Sequence, residues 1–220
     1  MTCLLSYSME RYIASISNER ELPMKPVILA SLLALVLVAP SAFAADEAVA
    51  APGGKPALIV MDVQNAYMPH MDEEDVKIAV RMINATIALF REAGLPVIRV
   101  YHSSPERGPE PGTEPFQFPD SIKVNEDDPM VVKSKPSAFN GTELDQVLRA
   151  NGIDTVFLSG LSAVGCVLAT YFDADGRDYR TFMVRNGLIS HDAEQTANVE
   201  EMTGAVGYGA IEYMLLNAPR

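Results

Sequence analysis

The chain has 220 residues, with 17 basic and 29 acidic side chains and a formal net charge of -12. That acidic balance argues against nucleic acid or an anionic membrane surface as the main partner, because both are held through a surplus of Lys and Arg. With 48% apolar and 21% charged residues the composition is globular rather than disordered, and the length suits one sizeable domain.

The N-terminal stretch stands apart from the fold. Lys25 supplies a positive segment, Val27 to Ala39 an apolar run, and Ala42-Phe43-Ala44 a small-x-small cleavage box. Residues 24–44 therefore read as a secretory signal peptide cut after Ala44, placing the mature protein in the periplasm or outside the cell. An uncleaved membrane anchor is the alternative, since the uncharged stretch is just long enough to cross a bilayer. Residues 1–23 read as the product of an upstream start, with Met24 the expected one. Residues 45–55 read as a linker and 56–220 as the domain. Losing the leader removes Cys3 and leaves Cys166 as a single thiol without an intramolecular disulfide partner. Such a cysteine is ordinarily buried filler unless its surroundings argue otherwise.

Strands and helices alternate along the domain. Ala57–Met61 is a continuous apolar run ending at Asp62, the pattern of a strand covered on both faces. Val76, Val80, Ile83, Ile87 and Phe90 recur at helical spacing within Glu73–Ala93, with Glu73, Glu74 and Asp75 in the first turn and Gly94 closing it. Pro96–Tyr101 reads as a second strand. Ser103–Pro129 is rich in Pro, Gly and acid, and an irregular stretch of that length is expected to be a functional loop or lid, with the pair Asp127 and Asp128 solvated. Met130–Val132 is a short strand with Lys133 just beyond it. Thr142–Asn151 reads as a helix with Thr142 as N-cap and Gly152 after its end. Thr155–Ser159 is another buried strand, followed by a glycine-containing turn to Cys166 and a helix through about Ala174. Arg180–Val184 is a strand, Ala193–Met202 a helix that His191 would cap, and Tyr208–Tyr213 a last edge strand.

This order implies an α/β doubly wound domain, a mostly parallel sheet of about six strands with helices on both faces. Ligands in such sheets bind beyond the carboxyl ends of the strands. Asp62, Lys133 and the Gly160–Cys166 turn all lie just past such an end, so all three are expected to face one crevice. Cys166 would begin a helix there, where unpaired N–H groups, the helix dipole and a lysine ammonium all favour a thiolate and lower the thiol pKa. Asp62 could take and return a proton, and the turn's amides could hold an oxyanion. Each residue also has a plain structural reading: Asp62 as a cap, Lys133 as solvated, Cys166 as core.

Three segments, MDVQNAY (Met61–Tyr67), VVKSKPSAFNGTELDQVL (Val131–Leu148) and LSGLSAVGCVLAT (Leu158–Thr170), resemble the signature segments of the isochorismatase-like cysteine hydrolases. The resemblance implies that Asp62 is general base and then acid, that Cys166 is the nucleophile, and that Lys133 rather than Lys135 completes the triad, six residues before Phe139. It also implies a cis peptide at Leu161-Ser162 that turns the Ser162 N–H, with that of Cys166, toward an oxyanion. Gln64, Tyr67, His102, Phe116 and Phe139 are the candidate substrate contacts. Phe118, Tyr171 and Phe172 also lie near the crevice in sequence, where aromatic packing is the commoner role.

Nicotinamidase-type members carry an Asp and two His for a divalent metal after the second strand. Here that region reads VYHSSPERG with His102 alone, and a metal site needs at least three ligands. No metal and no cofactor are therefore expected. The presence of the cysteine favours acyl transfer at an amide or ureido C–N bond of a small molecule. The alternatives are an isochorismatase, a nitrile- or isonitrile-directed enzyme of the same fold, or a non-catalytic binding protein. Family resemblance also implies a homo-oligomer.

Overall fold

The computed structural model describes residues 54–106 and 108–217. The leader expected at 24–44, the segment before it and all but the end of the linker lie outside the described residues.

β1 (Lys55–Met61) is buried at every position after the first, as its unbroken apolar run requires. After a 3-10 turn at Met68–His70 comes α1 (Glu73–Glu92), whose N-terminus is capped by Asp72. The Asp72 carboxylate accepts from the Glu74 and Asp75 N–H groups at 3.0 Å each. Ala79, Ile83, Ile87 and Phe90 form its buried face, and Gly94, at φ 69, supplies the left-handed residue that ends it. The remaining elements are β2 (Val97–His102), β3 (Met130–Lys133), α2 (Leu144–Ala150), β4 (Ile153–Leu161), a π-helical turn (Ala163–Val167) continuing into α3 (Leu168–Asp175), β5 (Arg180–Ile189), α4 (Ala193–Met202) and α5 (Tyr208–Asn217).

The five strands form one parallel sheet in the order β3-β2-β1-β4-β5. Alternate residues of β1 serve opposite cores. Ala57, Ile59 and Met61 pack with Leu144, Leu148 and Val167 on one face, and Leu58 and Val60 with Ile83, Ile87 and Phe90 on the other. The chain adds strands outward from β1 through β2 to β3, then crosses back through α2 to place β4 on the other side of β1. The winding direction reverses between β1 and β4, and a crevice opens beyond their carboxyl ends.

Several expectations need correction. The sheet has five strands because Tyr208–Asn217 is helix α5, not an edge strand: Ile211, Met214 and Leu215 follow a helical spacing and pack with the α1 face. Only Val206, just before it, bridges to Val184 of β5. Asp192, not His191, caps α4, accepting from the Glu194 and Gln195 N–H groups. Thr142 precedes the cap position of α2, although its hydroxyl accepts from the Leu144 N–H and donates to the Ala138 carbonyl.

The 103–129 loop is not a free lid. Phe116, Phe118 and Ile122 are buried, and the first two stack on Tyr101. Asn65 and Ala66 bond the Gln117 and Pro115 carbonyls, while Asn84, Arg91 and Arg99 bond backbone from Ser121 to Asp128. Asp128 is paired with Arg91 at 2.7 Å rather than merely solvated.

Candidate active site

β1 delivers the first acid. Asp62 follows Met61 in the left-handed region, at φ 53, which lets the chain leave the strand while its own N–H still bonds the Val100 carbonyl at 2.8 Å. Beside it, Gly160 of β4 pairs with Met61 at φ 111, and a Cβ at that position would stand 2.1 Å from the Met61 carbonyl oxygen. The two central strands can approach this closely only because residue 160 is glycine. The next peptide, Leu161-Ser162, is cis, and the π-helical turn that follows carries Cys166 back toward Asp62. Single π-helical turns of this kind recur at functional sites.

Lys133 ends β3, opposite His102 in register, and its ammonium is buried at the centre of the site. Its Nζ lies 2.7 Å from Asp62 Oδ2, 3.2 Å from His102 Nδ1 and 3.3 Å from the Lys135 carbonyl, three acceptors for three protons. Lys135 itself is exposed. The other Asp62 oxygen, Oδ1, is buried without a hydrogen-bond partner, and the Cys166 side chain interacts with both the Asp62 carboxyl and the Lys133 ammonium. A carboxylate oxygen of Asp62, a ring nitrogen of His102 and the Cys166 sulfur all lie within 4.8 Å of one another.

Burial dominates the acid–base properties. It pushes the Asp62 carboxyl above the usual carboxylate range, against the opposing pull of the Lys133 ammonium and its hydrogen bond. It also pushes the Cys166 thiol up, helped by the Asp62 charge and opposed by Lys133. A lowered thiol pKa was expected from the helix start and the lysine. That expectation is corrected: desolvation and the facing carboxylate outweigh the lysine. Tyr67 is raised to about 12 by burial and by the Asp62 and Cys166 charges, so its hydroxyl keeps its proton. Burial and Lys133 both lower the His102 pKa.

Asp62, Tyr67, His102, Leu161 and Cys166 line a crevice of about 210 Å³. Gln64 does not line it. Fully buried, its amide accepts from the His102 N–H at 2.8 Å and donates to the His102 and Phe116 carbonyls at 3.1 and 2.9 Å, fixing the end of β2 and the loop to β1. Phe116 and Phe139 likewise do not line the crevice and are buried in aromatic packing. Phe116 is stacked on Tyr101, and Phe139 lies between Tyr179 and the Arg177 guanidinium. Gly160 is the position that sequence reasoning passed over. Its signal was a glycine closing a buried strand, which often marks close backbone approach.

The isochorismatase domain matches residues 56–209. The chain belongs to the isochorismatase family. It is an isochorismatase-family hydrolase, with amidohydrolases among its relatives. It is 31% identical over 175 residues to the maleamate amidohydrolase of Pseudomonas putida, covering 70% of this chain and 82% of that one. The crystal structure of N-carbamoylsarcosine amidase from Thermoplasma acidophilum, 34% identical, superposes with a TM-score of 0.61 over 70% of this chain and 95% of the other. The pyrazinamidase of Pyrococcus horikoshii in complex with zinc is 27% identical, with a TM-score of 0.59 over 68% of this chain and 94% of that one.

Zinc in that relative makes the fit of a metal here worth testing. Among the described residues, Asp62, His102 and Cys166 are the group spaced for an ion. They do not suit a dication. The Lys133 ammonium is bonded to both Asp62 and His102 and would repel it. With Nδ1 accepting from that ammonium, the imidazole carries its proton on Nε2 and has no free lone pair for a metal.

Proposed function

We propose that the protein is an exported cysteine hydrolase that cleaves an amide or ureido C–N bond of a small molecule through a thioester on Cys166. The observation that carries this reading is the buried contact set: Lys133 holds Asp62 Oδ2 at 2.7 Å, Asp62 Oδ1 is buried with no other partner, and the Cys166 side chain interacts with both groups. Burial raises both the carboxyl and the thiol, so each keeps its proton to higher pH than an exposed counterpart would.

Asp62 takes the thiol proton as the sulfur attacks the carbonyl carbon. The Ser162 and Cys166 N–H groups receive the oxyanion, and Lys133 steadies the charge that moves between carboxylate and sulfur. Collapse breaks the C–N bond, and the proton on Asp62 leaves with the amine or ammonia. Water then gives a proton to Asp62 and attacks the thioester; the C–S bond breaks, the acid departs and the sulfur regains its proton. Relatives named for maleamate and N-carbamoylsarcosine hydrolysis support a C–N bond as the target.

The test is intact-mass detection of an acyl adduct on Cys166 from a panel of small amides and ureido compounds, read together with released ammonia. An adduct present in the native enzyme and missing in Cys166→Ala is the expected result. Ammonia release without any adduct, or undiminished in Cys166→Ala, rejects the thioester. Export is tested separately: N-terminal sequencing of protein recovered outside the cytoplasm should begin at Ala45.

A further inference from the structure

His102 borders the crevice yet takes no part in the cycle above. It is held from three sides. Gln64 binds both its backbone N–H and its carbonyl, and the Tyr67 ring stands edge-on at 6.2 Å. The third hold comes from Lys133, 3.2 Å from Nδ1. An ammonium can only donate, so Nδ1 must be the accepting nitrogen and the ring proton must sit on Nε2. Burial and the neighbouring ammonium both disfavour a second proton, which keeps the ring neutral. Nε2 is neither bonded to a protein atom among the described residues nor sealed from the crevice. The result is a rigid, uncharged N–H donor beside the sulfur.

We propose that His102 is the specificity-determining donor of this site: fixed in the Nε2–H form by Lys133, it binds an acceptor oxygen that the substrate carries in addition to its scissile carbonyl. The substrate class is then a small amide or ureido compound with a second carbonyl or carboxylate oxygen. An apolar amide of the same size would displace water from the Nε2–H without replacing its hydrogen bond and be discriminated against. The substrate half of this proposal rests on the cysteine-hydrolase reading, whereas the tautomer half does not.

The probes are succinamide, which has a second amide, and 4-methylpentanamide, in which an isopropyl group replaces it. Binding is measured by calorimetry in Cys166→Ala protein, so that turnover does not enter. Succinamide should bind at least about tenfold more tightly, the usual scale for one hydrogen bond. Adding His102→Leu should bring the ratio close to one. Adding His102→Gln instead, whose amide nitrogen reaches the place of Nε2, should restore part of it. Succinamate, run alongside, shows whether a carboxylate or a neutral carbonyl is the better acceptor. Nitrogen NMR of the unsubstituted protein should show His102 protonated at Nε2 and bare at Nδ1.

A His102 protonated at Nδ1, a ratio that survives His102→Leu, or failure of either acceptor-bearing probe to bind at millimolar concentration overturns the proposal. If His102 behaves as stated but no amide forms a thioester, the hydrolase reading fails while His102 remains an acceptor-binding donor.

Discussion

Two lysines each hold a carboxylate at nearly the same distance, Lys133 on Asp62 at 2.7 Å and Lys77 on Glu73 at 2.8 Å. Their surroundings are opposite. The Lys133 and Asp62 side chains are 0% and 3% exposed, and those of Lys77 and Glu73 are 50% and 83% exposed. Lys77 meets Glu73 four residues away on one helix, where water and salt screen the attraction. Lys133 and Asp62 end separate strands, and the sheet has taken both out of water. The same pair of groups is therefore decoration in one place and a constraint in the other, because an unpaired charge is costly only where solvent cannot reach it.

Cys166→Ala should cause the largest change. Hydrolysis of whichever amide labels the cysteine should fall by about a thousandfold or more, with an unchanged circular dichroism spectrum. Lys133→Ala attacks the buried pair directly. It strands the Asp62 charge, so urea unfolding should report a loss of about 3–5 kcal/mol, and replacing Asp62 by Leu and Lys133 by Met together should recover most of it. Equal destabilisation by Lys133→Ala and Lys77→Ala would erase the contrast.

The acid–base consequences come next in size. As the proposed base Asp62 must be ionised, and burial raises its pKa. The acid limb of kcat/KM should therefore lie above the ordinary Asp value of about 3.9. For stability the sign is reversed. A raised folded-state pKa means the folded protein binds this proton more tightly than the unfolded chain does. Its contribution is therefore fully present below the unfolded pKa and is lost as pH rises through the folded one. Urea melts of the native protein and Asp62→Asn across that window should diverge accordingly. Smallest of all, Lys77→Ala should leave the urea midpoint where it was, with no dependence on added salt beyond that of the native protein.

Most of the fold was legible from local pattern. β1 and β4 showed as unbroken apolar runs, α1 as a helical spacing of Val76, Ile83, Ile87 and Phe90 closed by Gly94. α5 was not, because Gly207 and Gly209 weaken a short segment whose helix is settled by packing against α1. Of the site, the convergence of Asp62, Lys133 and Cys166 followed from where the strands end. The roles of Phe116, Phe139 and Gln64 did not, since an aromatic or amide near a motif in sequence says nothing of the face it occupies. Nor did the direction of the thiol shift, which depends on how far the folded chain removes Cys166 from water.

What the sequence determined by itself is the order of strands and helices up to α4, the strand ends at or just beyond which the acid, the lysine and the sulfur sit, and the glycines that close α1 and α2. Hydrophobic period and capping residues act over a few positions and can be read there. Only the tertiary structure decided that Lys133 spends its protons on Asp62, His102 and a carbonyl, that the long loop is pinned down, and that burial dominates the acidity of Asp62 and Cys166. Those outcomes depend on desolvation and on contacts between distant segments, and neither has a local signature in the chain.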